Sequence, residues 1–63
     1  MHKEYMETLE SLVDQLTLSA ILEMLERISH KKAENLREHW QDEKTAKLWE
    51  KAARQIELIN IDV

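Results

Sequence analysis

Sixty-three residues without a single glycine or proline leave a chain few ways to turn. A β-hairpin relies on residues that accept positive φ, most often Asn-Gly or Gly-Gly, and neither pair occurs. The residues that fill the chain instead are Leu, Glu, Lys, Ala and Ile, most of them strong helix formers. The expected fold class is therefore all-α: two to three helices joined by very short connections, within a single domain.

Size sets the next constraint. A chain of about this length buries only about 60% of the surface its unfolded form exposes, so one isolated core is marginal. Small domains compensate with disulfides, a metal, a partner subunit or very close helix packing. Cysteine is absent, which removes the first option. The net charge of −4 favours solubility and disfavours nucleic acid as a partner. No apolar run approaches the roughly 18 residues of a membrane span, and the start, Met1-His2-Lys3-Glu4, has no signal-peptide pattern. The expected location is cytoplasmic.

Apolar spacing divides the chain. Tyr5, Met6, Leu9, Leu12, Val13 and Leu16 fall on one face of a helix over 3–16. Thr17 can cap a second helix, with Ser19 as a rival for the same role. That helix is expected over 18–40, its stripe formed by Leu18, Ile21, Leu22, Leu25, Ile28, Ala33, Leu36 and Trp40, with Ser29 completing it. Continued at 100° per residue, the stripe would meet Glu43, Lys47, Glu50 and Arg54, all charged. A break near Gln41-Asp42, with Asp42 as cap, restores the phase. A third helix over 43–59 then presents Ala46, Trp49, Ala52, Ala53, Ile56 and Ile59. It leaves Glu43–Lys47 and Glu50–Arg54 as i, i+4 pairs on the outer face. The tail from Ile59 to Val63 reads as a frayed end or a short extension packed on a neighbour.

Two stretches carry a resemblance. LVDQLTLSAILEML (12–25) and KAENLREHWQDEKTAKLWEKAA (32–53) cover over half the chain. With their KAE-x-L-R…W-Q-D…A-K-x-W-E pattern they resemble short helical bacterial proteins, cyanobacterial or phage-like, to which no function is attached. The resemblance implies a bacterial cytoplasmic helical protein and nothing about activity.

Three constellations bear on function. Glu26, His30, Glu34, Glu38 and His39 come nearest to a metal-ligand set, since carboxylates and imidazoles on neighbouring helices bind metals in bundle cores. The usual bundle signature is Glu-x-x-His on an inward face. Here Glu26 and His30 are four apart, at the edge of the stripe, among the cations Arg27, Lys31 and Lys32. A solvated, ion-paired face without a cofactor is the expectation, and a carboxylate/histidine metal site the alternative. Arg27, Lys31, Lys32 and Arg37 form a basic band that could touch nucleic acid. The favoured expectation is that the band pairs with Glu34, Glu38 or a partner's acidic first helix, since residues 1–16 carry one base against four acids. No nucleophile–base pair, phosphate loop or nucleophile elbow occurs, so nothing argues for an enzyme.

The third constellation is the apolar surface. The second helix is too long for the first to cover, and the third brings small alanines to its far half. The expectation is a homodimer or higher oligomer that also binds another protein. Its interface is expected at Leu25, Ile28, Ser29, Ala33, Leu36, Trp40, Trp49, Ala53 and Ile56, with the two tryptophans as anchors.

Overall fold

In the computed structural model, which describes residues 3–63, helix α1 spans Lys3–Gln15 and helix α2 spans Leu18–Asn35. A π-helical turn, Leu36–Trp40, continues α2, and helix α3 follows over Glu43–Glu57. There is no strand among the described residues. The all-α expectation and both expected breaks agree with this layout.

Each break has a local cause. At the first, the Thr17 hydroxyl accepts a hydrogen bond from the Ala20 amide at 3.0 Å and satisfies one of the free N–H groups of the first turn. Thr17, and not Ser19, is therefore the cap. Its backbone is extended (φ 169°, ψ 159°), so the chain continues past the break without reversing. At the second break the chain does reverse. The amides of Gln41 and Asp42 both donate to the carbonyl of Leu36, the latter at 3.0 Å, closing a ring wider than an α-turn. Gln41 then takes the left-handed conformation (φ 50°, ψ 35°) that glycine usually supplies at the end of a helix. The Asp42 carboxylate accepts from the Thr45 amide at 3.1 Å and opens α3.

The reversal lays α3 antiparallel against α2 along a seam of small side chains. Ser29 and Ala33 of α2 and Ala46 and Ala53 of α3 are buried, the last two completely. The Ser29 hydroxyl donates to the Leu25 carbonyl of its own helix at 2.8 Å, so its burial leaves no unpaired group. Small side chains on both helices suit the short end of the 8–10 Å range of axial separations. Among the described residues Ile21 is the one large side chain in this core, at 7% exposure.

The tail locks the far end of the pair. After Leu58, the chain turns back towards the start of α2. The Ser19 amide donates to the Val63 carbonyl at 2.6 Å, and the Ser19 hydroxyl reaches the carbonyls of Ile61 (2.6 Å) and Val63 (3.0 Å). The neighbour on which the tail packs is thus the protein's own second helix.

Helix α1 departs from expectation. It contributes no buried residue, approaches α2 marginally and does not reach α3. Helix α3 covers the Ile21, Ser29 and Ala33 line of α2 and leaves Leu25, Ile28 and Trp40 exposed, and α1 projects as an arm. The molecule measures 37 × 28 × 15 Å, with a radius of gyration of 13.6 Å against about 10–11 Å for a compact domain of this length. Its accessible surface is 5570 Å², whereas a globular protein of 7.5 kDa exposes about 4,200 Å².

Two substitutions test this description. Ala53→Leu should force the seam apart and cost about 1–3 kcal/mol in a urea melt, as overpacking does. Gln41→Gly should raise stability by about 1 kcal/mol, because glycine adopts the left-handed conformation without steric cost.

Candidate protein-docking face

The two edges of the α2/α3 hairpin differ in chemistry. At 100° per residue, Glu43, Glu50 and Glu57 lie on one side of the buried Ala46 and Ala53, and Thr45, Trp49, Ala52 and Ile56 on the other. On α2 the same geometry puts Glu26 on the edge shared with Glu57, and Met24, Leu25 and Ile28 on the opposite flank. The hairpin thus has an acidic edge and an apolar one.

The acidic edge is closed by Arg37. Its guanidinium binds Glu43 through Nε (2.9 and 3.1 Å) and Nη2 (2.9 Å), and the same Nη2 reaches Glu50 one α3 face-repeat farther on. The three side chains are half-buried to exposed. Hydrogen bonding to Arg37 holds both carboxyls below the ordinary glutamate range, with smaller contributions from Lys47 at Glu43 and Arg54 at Glu50. Hydrogen bonds to Glu43 and then Glu50 hold the Arg37 guanidinium in its charged form. The Asp42 carboxyl is also lowered, by its bond to the Thr45 amide.

This arrangement corrects the sequence reading at one point. Glu43 and Glu50 do not form their ion pairs with Lys47 and Arg54 along an outer helix face; they turn across the hairpin to Arg37. The signal was in the spacing. A reversal at 41–42 puts residue 37 opposite the middle of 43–50, between two acids seven residues apart.

The basic band is divided by the fold. Arg37 is engaged on the acidic edge, and Arg27 pairs with Glu23 at 3.0 Å one turn back on its own helix. Lys31 and Lys32 remain exposed beside the apolar flank. Of the candidate metal ligands, Glu26, His30, Glu34, Glu38 and His39, no three come together; among the described residues no group of three or more His, Asp or Glu does.

The apolar edge stays open. Leu25 and Ile28 are 43% and 47% exposed, and Met24 is similar. Near the π-turn this edge deepens into a groove of about 500 Å³ lined by Lys32, Leu36, His39, Trp40, Thr45 and Trp49. The wider π ring advances fewer degrees per residue than an α-helix, so Trp40 lags behind the seam position a regular helix would give it. It stands 75% exposed at the mouth of the groove, with Trp49 half-buried inside.

The nine residues expected at an interface therefore separate into two groups. Ser29, Ala33 and Ala53 are buried between α2 and α3 of one chain and are accounted for without a partner. Leu25, Ile28, Leu36, Trp40, Trp49 and Ile56 are exposed or half-buried and accessible. Val13, Met24 and Ala52 extend the accessible apolar set. No helix among the described residues is long and apolar enough to cross a membrane.

No protein-family model matches the chain, and no curated protein or solved structure matches it either.

The clasp generates a pH prediction. Glu43 and Glu50 have lowered pKa values in the folded chain, so their stabilising contribution is present above the unfolded value, about 4.3, and is lost as pH falls through the folded values. Thermal stability should hold from pH 7 to about 5 and fall below that. Arg37→Ala should lower the melting temperature at pH 7 and flatten the acid limb, and Arg37→Lys should restore only part, because an ammonium cannot reproduce the fork. Arg27→Ala, which removes an exposed i, i+4 pair, should change little.

Proposed function

We propose that this chain is a small helical interaction module that works as a homo-oligomer and, in that state, presents a surface to another protein. The observation that carries the reading is the excess of uncovered surface. About 1,300 Å² more is exposed than a compact chain of this mass leaves in solvent. A standard protein interface removes about 800 Å² from each partner, so the excess is more than enough for one such interface.

The chemistry of that surface supports a protein as the partner. It is apolar, with Leu25 and Ile28 along the open edge of the hairpin and Trp40 and Trp49 at the groove near the π-turn. Apolar area removed from water contributes roughly 25 cal/mol per Å², and tryptophan is enriched at the centres of interfaces. A two-fold pairing is the most frequent closed arrangement for a surface of this kind. The reading has no metal, cofactor or reaction in it, and it favours a protein over nucleic acid. Of the four cations in the basic band, two are already engaged by carboxylates of the same chain.

Sedimentation equilibrium over the micromolar range tests the proposal. A monomer–dimer equilibrium is expected. Trp40→Ala should weaken it by more than about 2 kcal/mol, as loss of a central anchor does. Glu34→Ala, on the outer side of α2, should leave it unchanged. A wild-type chain that sediments as 7.5 kDa throughout overturns the reading.

A further inference from the structure

We infer that the occupant of the open α2/α3 edge is helix α1 of a second copy, so that two chains exchange their first helices. This rests on the self-association proposed above and names the segments that meet.

The two surfaces match in shape. The arm Lys3–Gln15 is about 20 Å long at 1.5 Å per residue, and α2 is about 27 Å. The arm presents Met6, Leu9, Leu12 and Val13 along one face, none of them buried in its own chain. The hairpin presents Met24, Leu25, Ile28, Trp49, Ala52 and Ile56 along the groove between its helices. A third helix laid in that groove completes a three-helix core, which neither part has alone.

They also match in charge. The arm carries Glu4, Glu7, Glu10 and Asp14 against Lys3. The rim of the apolar edge carries Lys31 and Lys32, with Arg27 beyond them and Lys44 and Lys51 farther round α3. All three acids of α3 belong to the other edge, two of them bound to Arg37; on α2, Glu23 and Glu26 lie towards that same edge, Glu23 paired with Arg27, and Glu34 lies on the outer face. An acidic amphipathic helix thus faces an apolar groove with a basic rim.

Chain geometry decides that the two meet between copies and not within one. Helices that fold back on their neighbours through two residues need a reversal, and α2–α3 obtains it from Gln41 in the left-handed conformation. The α1–α2 link, Leu16-Thr17, has no such residue; Gln41 is the only non-glycine in the left-handed region among the described residues. Thr17 is extended and capped, which fixes α1 pointing away from its own hairpin. The arm is therefore held off the groove of its own chain and free to enter that of another.

Charge reversal in two separate chains tests this. One chain carries Glu7→Lys and Glu10→Lys on the arm; the other carries Lys31→Glu and Lys32→Glu on the rim. All four positions are exposed, and helix content by circular dichroism should match wild type in both. Each alone should dimerise about tenfold or more weakly than wild type, since like charges then face one another across the contact. Mixed one to one, they should form a heterodimer about as tight as the wild-type homodimer, seen by native mass spectrometry, because each arm again meets a rim of opposite sign. If wild type dimerises but the mixture is no tighter than its components, arm exchange is overturned and self-association survives. That same outcome is the one given by an arm that folds back on its own hairpin. If wild type is monomeric, both proposals fall together.

Discussion

Everything in this molecule follows from how closely α2 and α3 approach. Ser29, Ala33, Ala46 and Ala53 are small enough for the two helices to pack closely, and the two central alanines of α3 are fully enclosed. Small side chains give a short separation and good dispersion contact, but they bury little area each. Among the described residues no large side chain is fully buried. The bulky apolar residues, Leu25, Ile28, Trp40 and Trp49, are displaced to the flank of the seam, where a single chain leaves them in water. The tight seam and the exposed flank are two results of one choice of residues.

The Arg37 clasp and the tail give the hairpin its asymmetry. Charge on one edge is neutralised within the chain by the bonds of Arg37 to Glu43 and Glu50. The far end is tied by the hydrogen bonds of Ser19 to the tail carbonyls. The other edge of the hairpin keeps apolar side chains exposed beside Lys31 and Lys32.

Much of this was legible in the residues, and the parts that were not have identifiable causes. Absence of glycine and proline pointed to helices, the phase shift at 41–42 marked the reversal, and Thr17 and Asp42 announced themselves as caps. The seam was readable only halfway. Ser29, Ala33 and Ala53 were expected at an interface between chains, but helical periodicity does not say whether the approaching helix belongs to the same chain. Trp40 was assigned to the stripe because 100° per residue was assumed through 36–40, and the π-turn breaks that assumption. The Arg37 contacts were hidden because pairing was sought along helices at i, i+4 and not across the reversal. The detached α1 could not be read from its stripe, which looks like any core-facing helix. The decisive information lies in the extended backbone of a single residue, Thr17.

The central claim is that one chain is an incomplete fold whose open edge is filled by another. Small-angle X-ray scattering across a dilution series measures this most directly, because forward scattering reports mass while the radius of gyration reports shape. The account predicts a mass approaching twice 7.5 kDa as concentration rises through the micromolar range. On dilution it should fall to a single chain with a radius of gyration near 13.6 Å. A mass of one chain at every concentration, with a radius near the 10–11 Å of a compact domain, would contradict it.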